Sequence, residues 1–418
     1  EATFATRGGQ IASLVVGLEQ LATQSQAQVA ALLSQEAGTQ TPLFTKTTSL
    51  WISNQVYIES ATFELVEKLA ALESIAEIRE EEVFSLISPL SSSGVATTAS
   101  NTTVISLTAD ATPTWSVQKM QAPEVWARGN TGKNVVVGII DSGVRGTHEA
   151  LRDNFRGAYG WYDPEKQAAD PYDDDGHGTH VAGSAVGGKG VGVAPGAKWI
   201  ACKGCRDELC LESDMTACKQ FMLCPTDTKG NNKDCSKAPH VINNSWSTSG
   251  GGTSDVAIIK AWRTAGIIPV FASGNVLPNC GTVRSPADYP NVIAVGATSD
   301  DDSLLYFSGT GPSQSGLLKP DVTAPGGEVY SASNTGDAVY KSLSGTSMAS
   351  PHVAGAIALL LSTKPELSYD QVLAALTSTT DTKSLKTTGR TCGGTVDNVF
   401  PNNIFGNGRV NVLKATSS

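Results

Sequence analysis

A chain of 418 residues is roughly two to three times a typical domain, which excludes a small disulfide knot and calls for two domains or one large α/β unit with an appendage. With 40% apolar and 17% charged residues it has enough apolar surface for a sizeable core, so wholesale disorder is excluded. The net charge of −10, from 30 bases and 40 acids, offers no phosphate-neutralising face, so no nucleic acid partner is expected.

The acid is concentrated at the start: residues 1–112 hold 12 Asp and Glu against 4 Lys and Arg, which is −8 of the −10. QIASLVVGLEQLATQSQAQVAALLSQ, residues 10–35, spaces its apolar residues as a helix does, and FTKTTSLWISNQVYIE, residues 44–59, alternates as a strand does. A second helix fits 61–72 and a further strand fits Ile75 to Ile87, giving a small α+β unit over 1–87. SPLSSSGVATTASNTT, from Ser88, is rich in Ser and Thr and free of charge, the composition of a flexible, protease-accessible linker, assigned to 88–112. From about Trp115 the pattern changes to short, nearly continuous apolar runs, NVVVGII, HVINNSW, GIIPVFASGN and NVIAVGAT, separated by helical segments such as His177 to Ala185 and Asp255 to Ala265. Strands of this kind are covered on both faces, so 113–418 is expected to be a doubly wound, mostly parallel α/β domain with its site beyond the carboxyl ends of the strands. No apolar run approaches the ~20 residues of a membrane helix, so no membrane partner is expected. The chain opens on Glu1 without an export pattern, consistent with a signal already removed.

Eight cysteines, none before Cys202 and six between Cys202 and Cys235, point to a disulfide-braced loop in an oxidising compartment. Zinc is the competing reading of the Cys202–Cys205 spacing, but no second pair at ribbon spacing follows.

Three motifs carry chemistry. Asp141 ends NVVVGII, where a carboxylate emerges at the carboxyl edge of the sheet; taken alone it reads equally as a turn former. DGHGTHVAG sets His177 between two glycines at a helix start, where small neighbours let a substrate approach. SGTSMASPHVAGAIALLLS puts Ser347 at the mouth of an apolar helix, where free N–H groups and the helix dipole favour developing negative charge; a serine N-cap is the plain alternative. The combination, in the order Asp, His, Ser, is what makes these residues a catalytic set.

On DSG (Asp141 to Gly143), HGTHVAG (His177 to Gly183) and GTSMASPHVAG (Gly345 to Gly355) the chain resembles the secreted subtilisin-like serine proteases, nearest to their bacillopeptidase F-like branch with its inhibitory propeptide. The resemblance covers nearly the whole chain, with FGNGRVNVLKA (Phe405 to Ala415) similar to the family's closing strand. It implies Asp141 as orienter of the imidazole, His177 as general base and then acid, Ser347 as nucleophile, and Asn275 as oxyanion donor, although Asn275 after Gly274 also suits a turn. It further implies that Ser245, Trp246 and Ser247 pair with the substrate backbone as a sheet edge, with Ala272, Ser273 and Gly274 as the opposite wall of the specificity pocket. Trp246 reads equally as core.

The partners implied are protein or peptide substrates and the chain's own propeptide, in a secreted, extracellular monomer that processes itself and needs no cofactor. His180 and His352 are read as structural histidines, and of the two glycosylation patterns Asn101 is credible while Asn243 sits in a strand. The family's strong calcium site draws a carboxylate from the position that is Ala150 here, which removes it. Asp170, Asp173, Asp174 and Asp175 offer oxygen ligands for structural calcium elsewhere, with a solvated acidic loop as the competing reading. Ser247 stands where the family usually has Gly, which narrows the mouth of the pocket. Cys280 and Cys392, the two outside the cluster, are expected to pair. Two readings of other classes stand beside the protease: a catalytically silent binding protein on the same fold, and a cysteine-rich metal or partner module on a protease scaffold.

Overall fold

The computed structural model describes residues 6–87, 112–207 and 209–418. The N-terminal segment begins with helix α1 (Arg7–Ser25), whose cap Thr6 accepts the Gly9 N–H, and α2 (Ala27–Ala37). The single strand expected over 44–59 is instead a hairpin, β1 (Lys46–Leu50) and β2 (Gln55–Glu59), paired from Lys46 with Glu59 to Leu50 with Gln55. Asn54 makes the reversal, adopting φ +55 in the left-handed region that Asn tolerates better than most residues. Helix α3 (Phe63–Ala70) starts on a Thr62 cap, and Leu65 and Leu69 pack on Val29 and Leu33 in a small core of their own. Only β3 (Val83–Leu86) of the strand expected from Ile75 pairs with neighbours, because the acidic stretch before it is held through side chains rather than a ladder.

Short helices α4 (Trp115–Lys119) and α5 (Ala122–Trp126) lead into β4 (Val136–Asp141), followed by β5 (Trp161–Tyr162), α6 (His177–Val186), β6 (Lys198–Lys203), β7 (Leu209–Leu211) and α7 (Glu212–Leu223). Next come β8 (Val241–Asn244), β9 (Trp246–Ser247), α8 (Val256–Thr264), β10 (Ile268–Ala272), β11 (Ile293–Thr298) and β12 (Val322–Pro325). β13 (Val329–Ala332) and β14 (Tyr340–Leu343) form a hairpin before α9 (Thr346–Thr363), α10 (Tyr369–Ser378) and α11 (Val412–Ser417). Seven parallel strands form one sheet in the order β12-β11-β10-β8-β4-β6-β5. The continuous apolar runs are its centre, buried on both faces as their composition demands. α9 is apolar all round and buried from Thr346 to Leu361, packed with α6 and the sheet in the main core.

The closing strand expected over 405–415 is a correction. Arg409 makes only isolated bridges, to Thr323 and Asp381, after which Asn411 caps a helix by accepting the Lys414 N–H at 3.1 Å. All eight cysteines are paired, as 202–218, 205–210, 224–235 and 280–392, which excludes the zinc reading of Cys202 and Cys205. Asn101 and residues 88–111 of the assigned linker lie outside the described residues.

The N-terminal segment lies against the α/β unit. Ile11, Val15, Phe84 and Leu86 join one core cluster with Ala238, Ile258, Trp246 and Phe271. The Arg7 guanidinium donates to the carbonyls of Ala238 (3.1 Å) and Pro239 (2.6 Å).

Candidate active site

The carboxyl ends of β4, β8 and β10 deliver Asp141, the Ser245 turn and the 272–275 turn to one edge of the sheet, and α6 and α9 point their N-termini at the same place. Asp141 is fully buried, and its Oδ1 accepts from Ser142 N–H and from His177 Nδ1, both at 2.8 Å. His177 is held from behind by a second acid: Asp173 accepts from Ser142 Oγ and the Gly176 N–H on one oxygen, and from Thr179 N–H and Oγ on the other. Burial pulls the His177 imidazole pKa down, but the Asp141 carboxylate, with Asp175 and Asp173 behind it, outweighs burial and holds it above the ordinary value.

Ser347 is the second residue of α9, fully buried. Its Oγ donates to the Ile87 carbonyl at 2.9 Å and lies 3.4 Å from Ser245 O. The Asp141–His177 link of the expected set is therefore formed. The His177–Ser347 link is not: among the described residues His177 Nε2 is buried without a hydrogen-bond partner, while Ser347 Oγ donates to the Ile87 carbonyl.

Asn275 follows β10, and its Oδ1 accepts from both the N–H and the hydroxyl of Thr346, each at 2.9 Å. A backbone N–H only donates, so the atom facing it must be the oxygen, and the amide nitrogen lies beside Gly345. Thr346, which the sequence reading passed over, also ties the next wall, since its hydroxyl accepts from Gly274 N–H at 3.2 Å.

The stretch 245–247, expected to pair with a substrate, pairs here with the chain's own N-terminal segment. β9 pairs antiparallel with β3 at Ser85–Ser247 and Leu86–Trp246, and Ser245 O accepts the Ile87 N–H at 3.2 Å. Ser245 Oγ also donates to Ser347 O at 3.0 Å, fixing the edge to the start of α9. Trp246 is both things at once: its backbone pairs with the docked strand, while its indole is fully buried between Phe84 and Phe271. β3 pairs on its other side with β7, Phe84 facing Cys210, so the docked strand is the centre of a three-stranded sheet. This second edge was missed in the sequence. It lies inside the cysteine-rich loop, where Cys205–Cys210 and Cys202–Cys218 close short turns around it. Beneath Phe84 sits Lys219, buried and paired with Asp255 at 2.5 Å, its ammonium 4.5 Å from the ring centre.

His180 Nε2–H donates to Val329 O (2.9 Å), and burial drives its pKa down to about 3; His352 Nδ1–H donates to Met348 O (2.7 Å), and burial lowers it to about 4. Both are neutral packing groups. Asn243 is fully buried between Ser245 and Ser350, where no glycan fits. Three carboxylates of the acidic run meet other partners. Asp173 is spent on the α6 start, Asp174 pairs with Lys203 at 2.5 Å and Asp175 accepts the His177 N–H. Among the described residues no group of three metal-ligating side chains occurs.

Comparison with known proteins places this site among relatives. The profile of the subtilase family matches residues 132–408. Bacillopeptidase F of Bacillus subtilis is 38% identical over 330 residues, which is 73% of this chain and 22% of that protein. Subtilisin Savinase of Lederbergia lenta is 34% identical over 307 residues, 72% of this chain and 98% of the relative. Subtilisin E of Bacillus subtilis is 34% identical over 275 residues, 63% of this chain and 65% of the relative.

Proposed function

The chain belongs to the subtilase family of serine proteases, and from that premise we propose that it is a secreted serine endopeptidase, made as a zymogen whose residues 1–87 close the cleft until they are cut and released. In this reading His177 takes the Ser347 proton, Ser347 Oγ adds to the substrate carbonyl, and Asn275 with the Ser347 N–H holds the oxyanion. His177 then protonates the departing amine, and water attacks the acyl-enzyme by the same route in reverse. Asp141 keeps the imidazole in the tautomer that presents Nε2 to the serine.

The observation that carries this is the placement of one carbonyl. The strand Val83–Leu86 enters between two edges and leaves the Ile87 carbonyl against the nucleophile, its oxygen accepting from Ser347 Oγ at 2.9 Å. A docked strand in that position supports Ile87–Ser88 as the first bond cut, with the Ser/Thr-rich remainder to 112 trimmed afterwards and 113–418 as the catalytic domain. Proteins and peptides that offer an extended strand are the substrates, and the monomer suffices for every group named. Each step is assigned to a side chain or backbone N–H of the chain, and no step is assigned to a metal.

The test is a fluorophosphonate probe. It should label Ser347 only after residues 1–87 have left, and purified Ser347→Ala should accumulate uncut. Self-processing that survives in Ser347→Ala, or activity from a chain still starting at Glu1, contradicts the zymogen reading; a processed chain that never takes the probe points instead to a silent binding protein.

A further inference from the structure

One charged side chain at the cleft is left without a task by the groups above. The segment Val283–Ser285 runs between the two walls: Arg284 N–H donates to Ser273 O at 3.0 Å on one side, and Ser285 O accepts from Thr248 N–H at 2.9 Å on the other. It therefore closes the bottom of a slot whose sides are 245–248 and 272–274. The residue over the slot is fixed too, because Ile87 is bonded to Ser245 O through its N–H and to Ser347 Oγ through its carbonyl.

The Arg284 stem lies against Gly274. A Cβ added there would stand 2.6 Å from Arg284 Cγ, and Gly274 also adopts φ +110, so this wall accepts only glycine. Arg284 is half-buried, yet its guanidinium makes no ion pair or hydrogen bond among the described residues. Asp288, four residues on, is turned elsewhere: its Oδ2 accepts from Gly251 N–H at 2.6 Å and Ser285 Oγ at 2.9 Å. A guanidinium held partly out of water with its donors unspent is a receptor for a carboxylate.

We propose that Arg284 sets the specificity of this slot, and that the enzyme selects an acidic side chain at the residue whose carbonyl Ser347 attacks. The inference rests on the proteolytic reading above. Ile87 takes that position in the docked strand and brings no charge, so the strand is placed by its backbone and by Phe84, and Arg284 stays unpaired beneath it. A segment that has to be released once it is cut is better served by a weak fit here than by the preferred residue.

The test uses the processed enzyme from the full chain and two internally quenched peptides that differ only by Glu or Gln before the cut bond, a pair of equal shape that isolates charge. The Glu peptide should be cut with kcat/KM about ten-fold above the Gln peptide, the worth of one charge-assisted hydrogen bond. That ratio should fall to about one in Arg284→Gln, survive in Arg284→Lys, and shrink with added salt. A wild-type ratio of one or less, or one unchanged in Arg284→Gln, overturns the proposal, and so does a gain in cutting after bulky residues as the only effect, which would make Arg284 a filler of the slot. If the probe labels Ser347 while the ratio is one, only this inference fails; if neither peptide is cut and no label is taken, the proteolytic reading fails and this falls with it.

Discussion

At the scale of single residues, the site repeats one device: a two-sided polar group is fixed on one side so that the other is presented. Asp141 takes His177 Nδ1, and Thr346 takes Asn275 Oδ1. Asn275→Leu should therefore fold normally and lose on the order of 10²- to 10³-fold in kcat with KM little changed, a magnitude that comes from a subtilisin and is carried over to this chain. Near-normal turnover in that variant would remove Asn275 from the oxyanion. The imidazole gives a second expectation. His177 accepts the serine proton only when neutral, and Asp141 holds its pKa above the ordinary 6.5 despite burial. The protonated form then dominates below that raised value, so kcat/KM should climb with pH along a limb whose midpoint lies above 6.5, and Asp141→Asn should move the midpoint down. A wild-type midpoint at or below 6.5 would contradict the coupling.

At the scale of elements, the cleft is two sheet edges awaiting a strand, and recognition through them is mostly backbone. Ile87 N–H is the donor nearest the reacting carbonyl, bonded to Ser245 O at 3.2 Å. Ile87→Pro removes that donor and leaves a carbonyl without its partner, so cutting after residue 87 should slow by about ten-fold or more while Ile87→Val leaves it intact. N-terminal sequencing of the products decides between them, and an unchanged rate for the proline variant would mean that the strand does not dock in this register. These elements differed in how far they could be read in advance. β4, β8, β10 and α9 were legible because a parallel strand or a central helix must be apolar throughout; Asp141 ends β4 and Ser347 lies in the first turn of α9, as His177 does at the start of α6. β7 was not, since a three-residue edge strand inside a disulfide loop has no periodicity to read and forms only because β3 completes it. The β1–β2 hairpin hid for a related reason, its reversal resting on one left-handed Asn54. In the 405–415 stretch, the resemblance implied a strand where Asn411 as a cap decided for a helix.

At the scale of the whole molecule, the two parts meet across a seam of charge. Arg79 grips the Glu212 carboxylate at 2.5 and 2.7 Å, Glu82 N–H donates to the same group, and Glu81 accepts the Ser213 N–H at the start of α7. Burial alone would raise the Glu212 carboxyl, but Arg79, the Glu82 N–H and Gln55 outweigh it and hold it below the ordinary 4.5. A carboxyl depressed on docking lends its full stabilisation above 4.5 and loses it as pH falls through the lower docked value. The cut 1–87 fragment should thus stay bound near neutrality and dissociate more readily as the solution is taken below pH 4.5, with Glu212→Gln binding weakly at every pH and losing most of that slope. A dissociation constant flat from pH 6 to 3.5 in the wild type would exclude Glu212 as the sensor. Because this seam is not covalent, breaking the chain and parting the pieces are separate events with different electrical signatures. Residues 1–87 carry 11 acids and 4 bases, so their departure takes −7 from a total of −10 and leaves −3. A nicked molecule that keeps its fragment should co-migrate with the uncut one in a native focusing gel, while a molecule that has shed it should focus at distinctly higher pH, so the gel reads release directly and is blind to the cut itself.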